Sequence, residues 1–334
     1  MKKLWALGVL CLLSATCLAT AQDITGAGAT FPYPIYSKWF IEYSAAHPGV
    51  KINYQSLGSG AGIRQVTAGT VDFGAADVPM TDDQLAASKV KIVHIPTVLG
   101  AVVPIFNIKG VKDLKLGPDV IAGIYLGKIT TWNDPRLVKD NPGVSLPNEP
   151  IFIVHRAEGS GTTFIFTDYL SKVSSDWLST SGKGAASPNW PVGIGAKGNE
   201  GVAAMVRQVE GAVGYVELIY ALQNNINYGW VKNASGVWLK ATTEGVSAAA
   251  AGAKIPADYR VSITNAPGKD AYPISSFTWL LIPNPPKDAK NGAVIKDFLN
   301  WMLDKGEAET TSLHYASLPP TVVTRVKATI GQLK

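Results

Sequence analysis

The chain has 334 residues with 30 Lys and Arg against 25 Asp and Glu, a formal net charge of +5 that falls to +3 once Lys2 and Lys3 are set aside. Its basic residues are spread along the chain rather than blocked, which argues against a nucleic-acid partner. Only two cysteines and four histidines are present, so chemistry built on thiols or on histidine-rich metal sites starts with almost no material.

The N-terminal segment combines Lys2 and Lys3, an apolar run from Leu4 to Leu13, and Ala19-Thr20-Ala21. These are the n-region, h-region and A-x-A site of a secretory signal peptide, and the apolar run is short of the roughly 20 residues that span a bilayer. Cleavage after Ala21 is expected, with residues 1–21 as leader and a periplasmic location. It removes both Cys11 and Cys17. Lipidation at Cys17 is the competing use, and Leu13-Ser14-Ala15-Thr16 suits it poorly. The 313 residues that remain exceed a comfortable single core and point to two domains.

Short apolar runs then alternate with amphipathic segments, the pattern of an α/β protein with largely parallel sheets. The first turn, Thr25-Gly26-Ala27-Gly28-Ala29-Thr30-Phe31-Pro32, leads into a helix whose apolar face is Tyr36, Trp39, Phe40 and Tyr43. Pro32 fits a first helical turn and Thr30 fits its cap, so the Phe31 amide and the Thr30 hydroxyl are expected to point out of a helix N terminus. Such termini carry open donors and partial positive charge, which suits oxyanions. An alternating strand, Val50, Ile52 and Tyr54, precedes a second turn, Gly58-Ser59-Gly60-Ala61-Gly62, and a short helix expected over Ile63–Ala68. Glycines there let amides approach a ligand, and Ser59 adds a hydroxyl. Asp77 closes the run Val71–Asp77 where a strand should end, the edge on which α/β ligand sites form.

Further on, Ile151-Phe152-Ile153-Val154 has the form of a buried strand, followed by the third turn, Arg156-Ala157-Glu158-Gly159-Ser160-Gly161-Thr162-Thr163. This turn offers a guanidinium fork, hydroxyls and consecutive amides. A helix follows with Phe166, Tyr169, Leu170 and Val173 on one face, and the same spacing recurs at Val202, Met205, Val206 and Val209. The breaks between domains are expected near Asn107-Ile108-Lys109-Gly110 and Asp270-Ala271-Tyr272-Pro273. Each Gly- and Ser-rich turn alone is ordinary capping chemistry; three of them in one exported chain point to an oxyanion site. No G-K-[ST] follows any of them, and none is a G-x-S-x-G nucleophile elbow.

TGAGATFP, VDFGAADVP and RAEGSGTT, in this order and spacing, resemble the signature segments of the periplasmic phosphate-binding protein of bacterial phosphate ABC importers. GIYLGKITTWNDP, GNEGV and GAVGYVE extend the resemblance over nearly all of the chain after the leader. The resemblance implies a two-lobe periplasmic-binding-protein fold of type II with the ligand in the cleft. It implies a discontinuous lobe I of residues 22–107 plus 273–334, and a lobe II of residues 108–272. It implies phosphate contacts from Thr30, Phe31, Ser59, Asp77, Arg156, Ser160, Gly161 and Thr162. Its partners would be inorganic phosphate and the importer's permease subunits, with the protein a monomer that needs no cofactor and no metal and is not an enzyme. The chain departs from the family pattern in having Glu158 where Asp is common, and in the GSGAG form of the second turn.

Such a site has a physical route to specificity. Phosphate near neutral pH keeps at least one proton and sulfate keeps none, so an ionised Asp77 accepts a bond from the first and meets only lone pairs on the second. Leaving a buried group so mismatched costs about 1 to 3 kcal/mol, and more for a charge. The rival classes are a secreted phosphatase and a binder of another oxyanion such as sulfate or molybdate. His47, His94, His155 and His314 show no metal-ligand spacing, which weighs against the first, and Asp77 weighs against the second.

Overall fold

The computed structural model describes residues 22–334 and is a mixed α/β structure; the expected leader, with Cys11 and Cys17, lies outside the described residues. Strand β1 (Gln22–Gly28) pairs in parallel with β2 (Val50–Ser56) on one side and with β3 (Phe73–Ala76) on the other. Strand β4 (Lys91–Asn107) is followed by β5 (Lys115–Leu116), β6 (Phe152–Arg156), β7 (Ile194–Ala196) and β8 (Ala212–Glu217). Then come β9 (Asn227–Tyr228), β10 (Trp230–Lys232), β11 (Trp238–Leu239) and β12 (Ser275–Asn284). The large sheet runs β2-β1-β3-β12-β4-β8-β6-β7 with β9 alongside β4, while β11-β10-β5 form a small separate sheet.

Strand β4 belongs to both halves of that large sheet. Lys91 to Ala101 pair antiparallel with β12, and Val102 to Asn107 pair antiparallel with β8. A strand buried on both faces should be apolar without alternation, and β4 is buried almost throughout. The two-lobe fold follows from this arrangement: β1, β2, β3 and β12 gather at one end of β4, and β6, β7 and β8 at the other.

Each lobe has its own aromatic core. The helix Tyr33–Ala46 buries Tyr36, Trp39, Phe40 and Tyr43, as its spacing demands, and Phe40 packs with ring centroids 5.8 Å from Phe73 and 5.3 Å from Phe298. In the other lobe, the helix Gly161–Val173 buries Phe166, Tyr169 and Leu170, and Phe166 stacks on Tyr215 at 4.3 Å. The helix Gly198–Gln208 buries Val202 and Val206, while Val209 lies just beyond it as its C-terminal cap. The strand expected over 151–154 is displaced by a residue or two, to Phe152–Arg156, because its pairing with β8 begins at Phe152. No described helix is long and apolar enough to cross a membrane.

Candidate functional site

The C-terminal ends of β1, β2, β3, β6, β7 and β8 converge between the lobes, and each is followed by a turn that starts a helix or leads to a polar side chain. Three of those turns are the ones singled out in the sequence, but their local geometry differs from expectation in two places.

The first turn does not use Thr30 as a helix cap. The helix starts at Tyr33 after Pro32, with no side-chain cap and with Pro34 in its first turn. Thr30 is buried and its hydroxyl instead accepts from the Asn199 side chain at 2.7 Å. The carbonyls here are held from outside the turn: Tyr220 donates its hydroxyl to the Thr30 oxygen at 2.5 Å, and Tyr315 to the Phe31 oxygen at 2.7 Å. In a trans peptide the N–H points opposite to the C=O, so Tyr220 also fixes the direction of the Phe31 amide.

The second turn is already helix. The helix runs Ser59–Ala68, earlier than the expected Ile63 start, with Gly58 at φ 93° before it. Its glycines serve close packing. A Cβ on Gly62 would sit 2.6 Å from the Ala75 oxygen and 2.7 Å from Gly28 Cα, so only glycine lets this helix lie on the β1–β3 edge. Gly60 faces the other lobe, where its amide donates to the Gly159 oxygen at 2.9 Å.

Asp77 follows the last residue of β3 and is 1% exposed. Its Oδ1 accepts from Thr278 Oγ1 at 2.7 Å, and its Oδ2 from Ser59 Oγ at 3.3 Å. Burial pushes its carboxyl up from 3.8 to about 7, against the opposing pull of the Thr278 hydroxyl, the Arg156 charge and the Ser59 hydroxyl.

Across the cleft, Arg156 ends β6, is buried, and donates Nε to Glu158 Oε1 at 2.9 Å, with a second, shorter contact from NH2 to the same oxygen. Its NH1 donates to Thr162 Oγ1 at 3.2 Å. Of the five N–H donors on a guanidinium, two are left for an anion. Glu158 also accepts from the Gly198 amide at 3.1 Å through that one oxygen, while its Oε2 is buried with no partner among the described residues. This side-on pairing through one carboxylate oxygen offsets much of the Arg156 charge, so helix termini and oriented dipoles carry much of the site's attraction for an anion.

Ser160 caps the helix Gly161–Val173, accepting from the Thr163 amide at 3.1 Å and keeping its own proton to donate. Gly161 opens that helix opposite Ser59 and Asp77: a Cβ on it would lie 2.5 Å from Ser59 Oγ and 2.6 Å from Asp77 Oδ2. The structure therefore brings Thr30, Phe31, Ser59 and Asp77 of one lobe against Arg156, Ser160, Gly161 and Thr162 of the other.

Residues that sequence reasoning passed over complete the arrangement. Thr278 on β12 and Asn199 at the start of the Gly198–Gln208 helix each bond to expected site residues, and Tyr220 and Tyr315 fix the first turn. GNEGV, a strand-to-helix junction like the other three, was the one local signal for Asn199. Glu217 is fully buried at the end of β8, with Oε2 accepting from the Ile219 amide at 2.9 Å. Burial holds its carboxyl well above the usual range, so it adds little negative charge beside Asp77.

Two lobes on a shared strand, with a polar cleft lined by strand ends, define a two-lobed binding protein, and residues 14–305 match the family model described as a PBP superfamily domain. Within that class, the chain is 46% identical over 310 residues to phosphate-binding protein PstS of Xylella fastidiosa (strain Temecula1), covering 91% of this chain and 84% of the relative. It is 44% identical to phosphate-binding protein PstS of Haemophilus influenzae, with 93% of each chain covered. The chain belongs to the family of phosphate-binding proteins PstS. Its fold is similar to that of a solved high-affinity periplasmic phosphate-binding protein, PfluDING, bound with phosphate, at a TM-score of 0.76 and 24% identity over 92% of this chain and 93% of that one. A phosphate-binding protein from Stenotrophomonas maltophilia gives 0.71 and 21% over 92% and 94%.

Proposed function

We propose that this chain binds inorganic phosphate in the cleft between its lobes and delivers it to a membrane ABC importer. The observation that carries the proposal is the pairing of one buried carboxylate, Asp77, with a surrounding set of donors. Thr30, Ser59, Ser160 and Thr162 would supply hydroxyls, Phe31 and Gly161 amides, and Arg156 its remaining N–H bonds, while Asp77 accepts the phosphate proton. Both carboxylate oxygens of Asp77 keep room for a further donor after the bonds from Thr278 and Ser59.

Export to the periplasm, a monomeric state and recognition by permease subunits belong to the same proposal. So does the division into residues 22–107 plus 273–334 and 108–272, with its first crossing drawn back from Asn107 to Ala101 because Val102 to Asn107 pair with β8. We propose that the lobes turn about β4 where it passes from β12 to β8, at Ala101 and Val102, together with the chain entering β12. The bonds across the cleft, Gly60 to Gly159 and Asn199 to Thr30, are ones that an open arrangement would break.

The test is a calorimetric titration of phosphate-stripped protein with phosphate and with sulfate, alongside a colorimetric assay for phosphomonoester turnover. Tight phosphate binding without turnover is expected. Discrimination against sulfate should be strongest above pH 7, where Asp77 is ionised, and should shrink below it, where a protonated Asp77 can donate to sulfate. Equal affinity for the two anions above pH 7, or turnover of the ester, would overturn the proposal.

A further inference from the structure

Asn199 is fully buried between the lobes. Its Nδ2 donates to Thr30 Oγ1 at 2.7 Å and to Thr162 Oγ1 at 3.1 Å, and its backbone amide adds a longer bond to Thr30 Oγ1 at 3.3 Å. The orientation of the side chain is fixed by its other end, because Oδ1 accepts from the Glu217 amide at 2.9 Å and only an oxygen can accept there. Thr162 Oγ1 takes its second bond from Arg156 NH1 at 3.2 Å.

A hydroxyl has two lone pairs and one proton. Thr30 Oγ1 and Thr162 Oγ1 each accept two bonds, so both lone pairs are engaged on both oxygens and only the proton is left to use. We infer that Asn199 is a positioning residue that sets the polarity of these two hydroxyls, making each a donor that cannot rotate to present a lone pair to an anion. The inference rests on the proposed phosphate function and assigns Asn199 a part in it. Thr30 and Asn199 lie on opposite lobes, so the Thr30 hydroxyl is fixed in this way only when the cleft closes. Closure and donor polarity are thereby one event, and an open cleft leaves Thr30 free to hydrogen-bond with water in either sense.

The test is a double-mutant cycle read by phosphate titration of stripped protein: the parent, Asn199→Ala, Thr30→Val, and the two combined. Asn199→Ala should weaken phosphate binding about tenfold, the scale of one hydrogen bond misdirected at each hydroxyl. In the Thr30→Val background, where only Thr162 remains to be oriented, the same substitution should cost about threefold. Fold-losses that multiply independently would mean that Asn199 supports the helix rather than the hydroxyls, and would overturn the inference. Asn199→Asp keeps the shape and the bond from the Glu217 amide, but a carboxylate cannot donate. Both threonines would then turn their protons toward it, and binding should fall by roughly a hundredfold or more. An Asn199→Asp protein that binds phosphate like the parent would also overturn the inference. A parent that binds no phosphate overturns the functional proposal and this one with it; a parent that binds, with the variants behaving independently, overturns this one alone.

Discussion

Replacing Asp77 with asparagine should make the ligand-free protein more stable, and the gain should depend on pH. Burial raises the Asp77 carboxyl from 3.8 to about 7, a differential interaction of about 4 kcal/mol. Because the folded-state value is the higher one, the folded protein keeps a proton that the unfolded chain gives up. The stability linked to Asp77 is therefore whole below about pH 4 and is lost as pH rises through about 7. An amide of the same shape has no such proton to lose. Its oxygen can still accept from Thr278, and its nitrogen can donate to Ser59 Oγ. Urea unfolding of phosphate-stripped parent and Asp77→Asn proteins, followed by tryptophan fluorescence, should show a small gap near pH 5 that widens to a ceiling of about 4 kcal/mol near pH 8. Glu217 is raised chiefly by its burial, which both proteins share, and least by the Asp77 charge, so it contributes little to the gap. A gap that stays constant with pH, or a less stable variant at pH 8, would refute the account of Asp77 as a buried carboxylate held at a cost for the sake of ligand choice. The same substitution should narrow the preference for phosphate over sulfate, since an amide donates to either anion.

Arg156→Lys should bind phosphate more weakly by about 1.5 to 3 kcal/mol, because an ammonium cannot serve Glu158, Thr162 and an anion from one planar fork; isothermal titration reads the loss, and an unchanged dissociation constant would remove the guanidinium from the site. Gly161→Ala places a methyl group on Ser59 and Asp77 across the cleft, so each lobe should stay folded while closure is blocked. In small-angle scattering the parent's radius of gyration should shrink with phosphate and the variant's should not. Gly62→Ala meets backbone rather than flexible side chains, at the Ala75 oxygen and Gly28 Cα, and should lower unfolding stability by about 1 to 3 kcal/mol; a neutral result would show that the helix can lift off the sheet edge.

What the sequence alone determined was whatever the backbone's own periods record. A spacing of three and four residues at Tyr36, Trp39, Phe40 and Tyr43 gives a helix with one buried face whatever it packs on. A serine before Gly161 and Thr162 caps the helix they begin, and Asp77 falls at a strand's end because the apolar run stops there. Seven of the eight expected site residues were likewise visible as polar or glycine positions at or just beyond strand ends, and the eighth, Phe31, as an amide beside Thr30; the family resemblance marked them as phosphate contacts. Tertiary structure alone decided what those groups do to one another. Thr30 has the chemistry of a helix cap, yet its hydroxyl goes to Asn199, far along the chain on the other lobe. The second turn has the composition of a ligand loop, yet its glycines are there because a helix must touch a sheet edge and the opposite lobe. Thr278, Tyr220 and Tyr315 reach the site from a distant strand, a short helix and a loop, with no pattern near them to mark it. Local patterns follow from torsions and burial along one segment, whereas hydrogen-bond polarity and carboxylate ionisation are set by whichever groups the fold brings within about 3 Å of each other.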